Sequence, residues 1–131
     1  MQLLRVQLRL ILPDGKTFGP GKAELLTLID RLGSIAATGR AMQMSYKRAW
    51  GLVEEMNGSF REALVTTERG GMARGGARVT DLGRAVLGRY QQLVAGIQGA
   101  GADDLDFIDS VMAVGKDILP GAGISDSSNG T

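Results

Sequence analysis

The sequence predicts a mainly α protein with a small β-sheet. Residues 33–57 are typical of two short helices joined by a tight turn, because apolar residues recur at helical spacing in the second of them. The next segment, Thr67 to Thr80, is rich in glycine and arginine and is typical of a β-hairpin. Helix, turn, helix and basic hairpin in this order predict a winged helix-turn-helix with extra C-terminal helices.

The N-terminal part predicts a hairpin followed by a helix. Apolar and polar residues alternate from Leu4 to Leu12, which indicates a strand. The run Pro13-Asp14-Gly15-Lys16 favours a turn, and Thr17-Phe18 can begin a short return strand. Gly21 to Leu32 predicts a helix with Leu25, Leu28, Ile29 and Leu32 on its buried face. Gly33 is placed to end it, because glycine readily adopts the left-handed conformation.

Two serines predict where the next two helices begin. Ser34 is an N-cap for a helix that runs to about Met42, and Ser45 is an N-cap for a helix that ends near Asn57. The second helix carries an apolar face with the spacing i, i+3, i+4, i+7 and i+10. That face consists of Tyr46, Ala49, Trp50, Val53 and Met56. We therefore expect Tyr46 and Trp50 to belong to the core.

The opposite face of the second helix holds Lys47, Arg48 and Gly51. A helix that is anchored on one side and is cationic or small on the other suits a DNA major groove. Lysine and arginine donate to guanine O6 and N7, and Gly51 would let the backbone approach closely. The alternative for this helix alone is an ordinary amphipathic helix with a solvated charged face.

The basic hairpin predicts the second DNA-contacting element. Ala63 to Glu68 alternates like a strand, Gly70 to Gly76 is a glycine-rich loop, and Ala77 to Thr80 can be the return strand. The arginines around the loop suit phosphates or a minor groove. A surface loop without function is the alternative. A nucleotide-binding loop is disfavoured, because neither the Walker nor the dinucleotide-binding glycine pattern is present.

The C-terminal part predicts dimerisation helices and a tail. A long helix begins at Thr80 or Asp81, Gly99 to Ala102 is a break, and Asp103 to Gly115 forms a last helix. Both helices carry apolar stripes outside the helix-turn-helix, so we expect them to form a homodimer interface. We expect residues 1–116 to be one domain and residues 117–131, rich in Gly, Ser, Asp and Asn, to be a flexible tail.

Charge and absent residue types limit the function classes. The 131 residues carry a net charge of +1, but residues 35–92 carry +4 and residues 93–131 carry −5. The positive part coincides with the candidate DNA-contacting segment.

The sequence has no Cys and no His, which excludes disulfides and thiolate zinc sites and removes the commonest general base. The aspartates at 103, 104, 106 and 109 fit no calcium-binding loop. We expect no enzyme activity, no cofactor and no metal, and, because no signal peptide is found, a cytoplasmic setting.

Several runs of the sequence resemble one family. The distinctive run is Ser45-Tyr46-Lys47-Arg48-Ala49-Trp50 followed by Glu54-Glu55-Met56-Asn57. The others are Gly33-Ser34-Ile35, Gly70-Gly71, Gly75-Gly76 and Leu82-Gly83. With these runs, residues 4–115 closely resemble the N-terminal domain of ModE, the molybdate-dependent transcriptional regulator.

The resemblance implies a winged-helix fold, a homodimer and operator binding. It implies double-stranded DNA as the partner, contacted by the second helix and the glycine-rich hairpin. The predicted DNA-contacting residues are Ser34, Ser45, Tyr46, Lys47, Arg48, Gly51, Arg69, Arg74 and Arg78. Full-length members continue into two molybdate-binding β-barrel domains, whereas this sequence ends at Thr131, so we do not expect molybdate binding. The predicted function is sequence-specific transcriptional regulation, and the alternative is a winged-helix adaptor that binds proteins.

Overall fold

The computed structural model describes residues 4–68 and 76–113. These described residues fall into two compact units, one within residues 6–97 and the other from residues 4–5 and 98–113. The described elements are β1 (Leu10–Ile11), β2 (Thr17–Phe18), α1 (Pro20–Leu32), α2 (Ile35–Ala41), α3 (Tyr46–Ser59), β3 (Val65–Thr67), β4 (Ala77–Val79), α4 (Asp81–Ala100) and α5 (Ala102–Ser110). The sheets are two antiparallel pairs, β1 with β2 and β3 with β4. This confirms the mainly α class and the order of elements of a winged helix-turn-helix with extra C-terminal helices.

The N-terminal hairpin is shorter than the alternation predicts. Only Leu10 and Ile11 pair, opposite Phe18 and Thr17, although side-chain burial alternates all the way from residue 6 to residue 12. The partner strand has only two residues because α1 begins at Pro20, so the rest of the predicted strand has nothing to pair with. The predicted turn is confirmed, with Gly15 at φ 86°.

Helix α1 begins and ends as predicted but is rotated about its axis. Pro20 lies in its first turn, and Gly33 ends it at φ 69° with its N–H donating to Ile29 O. Leu25, Leu26 and Ile29 are buried, whereas Leu32 is 43% exposed. The expectation that Leu32 lies on the buried face is therefore wrong, and Leu26 is in the core instead.

The core of the larger unit is centred on Phe18 and Tyr90. Their rings are 5.2 Å apart and edge-to-face, and Phe60 packs on the other side of Phe18 at 6.2 Å. The Tyr90 hydroxyl donates to Leu8 O at 2.7 Å, which fixes the extended N-terminal segment against α4. The fully buried aliphatic residues come from α1, α3 and the segment that enters β3.

Helix α4 is continuous to Ala100, and few of its residues are buried. Thr80 caps it, since its hydroxyl accepts from Gly83 N at 3.0 Å. The apolar spacing of α4 predicts that Leu93 and Ile97 lie on its buried side, but they are 48% and 42% exposed. The break before α5 is confined to Gly101, and the last helix ends at Ser110 rather than at Gly115, the end that the sequence predicts. The predicted tail lies outside the described residues. Within residues 4–68 and 76–113 no helix is long and apolar enough to cross a bilayer.

Candidate nucleic-acid interface

The turn between α2 and α3 is tight because Gln43 adopts a left-handed conformation and Gly39 leaves room for the start of α3. Gln43 has φ 59°, the left-handed region, and Met44 N donates to Gly39 O at 2.9 Å to close the turn. A Cβ on Gly39 would lie 3.3 Å from Met44 O and 3.4 Å from Ala49 Cβ. Glycine at this position therefore lets α2 approach the start of α3 closely.

Helix α3 has one buried face and one exposed face. Ala49, Val53 and Met56 are buried at 0–1% exposure, as the spacing predicts. Trp50 is partly buried and packs against the core. Tyr46 is 54% exposed, so the expectation that it belongs to the core is wrong. Tyr46 is the first residue of the helix, where the apolar stripe has run past the edge of the core.

The exposed face of α3 brings together most of the predicted DNA-contacting residues. Ser45 caps the helix, and its hydroxyl accepts from Arg48 N at 3.0 Å. Tyr46, Lys47 and Arg48 follow it in the first turn and are exposed. Gly51 lies one turn further along, and a Cβ added there would meet nothing within 4 Å. The first two turns of α3 thus present two cations beside a bare stretch of backbone.

Ser34 caps α2 and also marks the base of the β3–β4 hairpin. Its hydroxyl accepts from Ala37 N at 3.0 Å, and its backbone pairs with Gly76 in an isolated antiparallel bridge. Ala77 N donates to Gly33 O at 2.9 Å. The connection between α1 and α2 therefore lies along β4 and fixes where the hairpin leaves the helices.

Of the three hairpin arginines predicted to contact DNA, one lies within the described residues. Arg78 lies on β4 opposite Thr66, and both residues are exposed. Their neighbours Val65 and Val79 face the core at 2% and 3% exposure. Strand alternation thus puts Arg78 on the solvent side. Arg69 and Arg74 lie outside the described residues.

Asn57 connects α3 to β3 through three side-chain hydrogen bonds, a role that its position in the sequence does not predict. Asn57 Oδ1 accepts from Leu64 N at 2.8 Å and from Val65 N at 3.1 Å, while Nδ2 donates to Val65 O at 3.0 Å. Asn57 lies within α3, and its partners lie seven and eight residues further along the chain, so no local sequence pattern predicts this contact. The three hydrogen bonds tie the end of α3 to the start of the hairpin.

A second link joins α3 to α1 and β2. Lys22, 8% exposed, donates from Nζ to Glu55 Oε2 at 2.8 Å and to Thr17 O at 2.7 Å. The hydrogen bond from Lys22 lowers the pKa of Glu55 below its ordinary value of 4.5, against the opposing effect of burial. The alternation of the sequence predicts neither the burial of this lysine nor its partner.

A third link joins α3 to the first turn. The Ser59 hydroxyl donates to Asp14 Oδ2 at 2.7 Å, and Lys16 N donates to Asp14 Oδ1 at 2.8 Å. These two bonds, that from Ser59 first, lower the pKa of Asp14 below its ordinary value of 3.8. Helix α3 is therefore held at Glu55, Asn57 and Ser59, while its first turns stay exposed.

A metal centre finds no support in the described residues. Within residues 4–68 and 76–113, no three or more His, Cys, Asp or Glu side chains form a group that could hold a metal ion. The aspartates in the first turn of α5, Asp103 and Asp104, lie where a helix dipole favours negative charge. Their placement agrees with a structural role.

Comparison with known proteins identifies relatives over about two thirds of the chain. It is 39% identical over 83 residues to the molybdenum-pterin-binding protein MopB of Rhodobacter capsulatus, which is 63% of this chain and 31% of that protein. It is 35% identical over 86 residues to the molybdenum transport protein ModE of Azotobacter vinelandii, 66% of this chain and 32% of that protein.

A third relative is the DNA-binding transcriptional dual regulator ModE of Escherichia coli K12, 35% identical over 92 residues, 70% of this chain and 35% of that protein. No protein-family model matches the chain. The matched segment thus amounts to about one third of the length of each of these relatives. The chain is therefore related to the ModE-type transcriptional regulators through this shared segment.

Proposed function

We propose that the chain is a sequence-specific DNA-binding transcriptional regulator that works in the cytoplasm. The observation that carries the proposal is the two-sided character of α3. Ala49 and Val53 anchor its inner face, and Lys47 and Arg48 lie on its outer face next to the bare backbone at Gly51. This arrangement suits a helix that enters a major groove with its N-terminal residues against base edges.

Five of the predicted DNA-contacting residues, four of α3 and the α2 cap Ser34, have separate chemical roles in the proposal. Lys47 and Arg48 donate to guanine O6 and N7 or to phosphates. The hydroxyls of Ser45 and Ser34 already accept a backbone N–H each, which leaves their O–H hydrogens for a DNA acceptor. Gly51 allows the helix backbone to approach the duplex without a side chain between them.

The β3–β4 hairpin supplies further phosphate contacts in this proposal. Arg78 projects to solvent from β4. Arg69 and Arg74, which lie outside the described residues, flank or interrupt the same glycine-rich segment of the sequence. Phosphate contacts set the register of a protein on the duplex, whereas base contacts set the sequence preference.

We further propose that the protein acts as a homodimer through α4 and α5. An apolar groove of about 340 Å³ runs between the N-terminal hairpin and α4, with Leu12, Phe60, Val86 and Leu93 in its lining. The exposed Ile97 extends the apolar surface along α4. Contiguous exposed apolar surface of this kind is typical of an interface between proteins.

Helix α5 carries the second part of the proposed interface. Phe107 and Val111 are 67% and 65% exposed, and none of its residues is buried. Asp103 and Asp104 in its first turn are opposite in charge to Arg89, which lines the groove. A second copy of the chain would cover the exposed apolar side chains of α5 and supply the opposite charge.

Sedimentation tests the dimer with a matched pair of variants. Leu93→Glu puts a charge into the groove, whereas Gln91→Glu puts the same charge at another exposed position of α4. We expect the wild type and Gln91→Glu to be dimers and Leu93→Glu to be a monomer at micromolar concentration. A wild type that sediments as a monomer at this concentration and above contradicts the proposal.

Selection of bound sites from random duplex DNA tests the main proposal. We expect a defined sequence to emerge, and we expect its affinity to fall steeply as salt rises, because phosphate contacts release counterions. The alternative, an adaptor that binds proteins through apolar surfaces, predicts no enriched sequence. The absence of any enriched sequence therefore overturns DNA reading and supports the adaptor.

The expectation that molybdate does not bind this chain stays a prediction. The names of two relatives link those proteins to molybdenum, and the matched segment is a third of their length. Calorimetry with molybdate, with sulfate as the control anion, tests the expectation. A molybdate-selective heat at micromolar ligand would contradict it.

A further inference from the structure

The first two turns of α3 hold an aromatic pair, Tyr46 and Trp50, of which the roles proposed above make no use. The Trp50 indole N–H donates a hydrogen bond to the Tyr46 hydroxyl one turn earlier. The two rings meet edge-to-face, with centroids 6.5 Å apart and planes at 88°. Trp50 is partly buried against the core, whereas Tyr46 is 54% exposed. The tryptophan is thus the fixed member of the pair and the tyrosine is the outer member.

This hydrogen bond determines what the Tyr46 hydroxyl can do next. A phenol has one O–H donor and two acceptor lone pairs, whereas an indole N–H is a donor only. The bond from Trp50 therefore occupies a lone pair of the Tyr46 oxygen and leaves its O–H hydrogen unused. Within residues 4–68 and 76–113 no acceptor for this hydrogen is found.

The surroundings of Tyr46 indicate which acceptor it meets. Lys47 and Arg48, its neighbours along the exposed first turn, are cations that attract the phosphates of a duplex. About half or more of the hydrogen bonds between proteins and DNA go to the backbone, and tyrosine is among the usual donors. Because its ring is already fixed by Trp50, the hydroxyl loses little freedom when it binds.

We propose that Trp50 is a positioning residue that holds the Tyr46 hydroxyl as a hydrogen-bond donor to a DNA phosphate oxygen. The proposal rests on the proposed function, because it specifies one contact within the same helix. Trp50 itself does not touch the duplex. It acts by fixing the orientation of the phenol ring. Its N–H also occupies a lone pair of the hydroxyl oxygen that would otherwise accept a hydrogen bond from water.

Three variants of the full chain separate these roles. Tyr46→Phe keeps the edge-to-face ring and removes the O–H, and Trp50→Phe keeps an aromatic ring and removes the N–H. The double variant removes both groups. Affinity is measured for a selected duplex and for a random duplex of equal length at the same salt concentration, and the thermal midpoint of each variant is recorded.

We expect Tyr46→Phe to weaken binding to both duplexes about tenfold, as for a hydrogen bond to a charged group. Trp50→Phe weakens binding by a smaller factor, and the double variant binds like Tyr46→Phe alone, because the two residues act through one contact. The dependence on salt stays that of the wild type, since no cation is removed. A merely structural role for Trp50 would lower affinity in the Tyr46→Phe background as well.

Three results overturn the proposal. If Tyr46→Phe binds both duplexes as the wild type does, the hydroxyl makes no contact with DNA. If the loss of affinity is confined to the selected duplex, the hydroxyl contacts a base and not a phosphate. If Trp50→Phe lowers the affinity equally in the wild type and in the Tyr46→Phe variant, Trp50 does not act by positioning the Tyr46 hydroxyl. If the wild type binds neither duplex, the proposed function fails, whereas wild-type binding with any of these three results leaves that function intact.

Discussion

The side chain of Asn57 pairs with Val65 as a neighbouring strand would. Asn57 Oδ1 accepts from Val65 N and Nδ2 donates to Val65 O, at 3.1 and 3.0 Å. Because Thr80 N donates to Leu64 O, the adjacent Val65 lies at a position of the β3–β4 ladder where its polar groups point away from β4. An amide on α3 therefore satisfies the backbone groups that the two-stranded hairpin leaves open.

Removing that amide should destabilise the protein. Asn57→Ala leaves the Val65 N–H and C=O and the Leu64 N–H without their partner, which costs about 1–3 kcal/mol of unfolding free energy. Denaturant unfolding measures the change. Asn57→Asp is a second variant, because it keeps the oxygen that accepts from Leu64 N and Val65 N but sets a carboxylate oxygen against Val65 O, so we expect it also to be less stable than the wild type. Equal stability of Asn57→Ala and the wild type contradicts this link.

Gly83 should resist substitution although it lies in a helix. A Cβ at this position would lie 2.4 Å from Leu64 O and 2.7 Å from Val79 Cγ1, so α4 must move away from the hairpin. We expect Gly83→Ala to lower the unfolding free energy by about 1–3 kcal/mol. Gly88→Ala on the same helix meets nothing within 4 Å and should raise it by up to about 1 kcal/mol. The same sign of change for both variants contradicts the close approach.

The link from Lys22 to Glu55 predicts a dependence of stability on pH. The pKa of Glu55 is lowered in the folded protein by the hydrogen bond from Lys22, so the unfolded state binds more protons in acid. The resulting stability is present above pH 4.5 and is lost as the pH falls through the lowered pKa. Glu55→Gln removes the titrating group and keeps an oxygen for Lys22.

Unfolding free energies measured from pH 6 to pH 2 test this link. We expect the wild type to lose more stability than Glu55→Gln on acidification, so that the difference between the two proteins narrows toward low pH. Parallel pH profiles for the two proteins would show that Glu55 titrates normally.

Particular residues show what can be predicted from the sequence. The caps at Ser34 and Ser45 and the end of α1 at Gly33 were predictable, because capping depends on residues within one helical turn. The exposure of Leu32 and Tyr46 was not, because an apolar stripe at a helix end does not say how far the core extends. In both cases the spacing of apolar residues does not show where the core ends along the helix.

Contacts distant in sequence were also beyond prediction. Lys22 and Glu55 are 33 residues apart, and Ser59 and Asp14 are 45 apart. Nothing in the local pattern pairs them, because each side chain is ordinary for a helix or a turn. For the candidate interface, the sequence predicted the exposed cations of α3, whereas the three links that hold its C-terminal half became visible only in the fold.

Gly51 should be needed for DNA binding, although an alanine at this position would stabilise the fold. Gly51→Ala fills open space on the exposed face of α3, so we expect it to raise the unfolding free energy by about 0.5–1 kcal/mol. If the backbone approaches the duplex here, the same methyl group weakens binding about tenfold. Gly58→Ala is the control, since it is equally open, lies on the same helix and is distant from the first turns. Equal affinity of the two variants contradicts a close approach at Gly51.

The affinities of Lys47→Ala and Arg48→Ala test most directly whether α3 reads DNA. Both side chains are exposed in the first turn, so neither substitution should affect folding. A residue that contacts a base should lose about 1–3 kcal/mol of binding free energy on the selected duplex when replaced by Ala, and less on a random duplex. We expect at least one of the two variants to show this difference. Wild-type affinity of both variants on both duplexes would contradict the assignment of α3 as the DNA-reading helix.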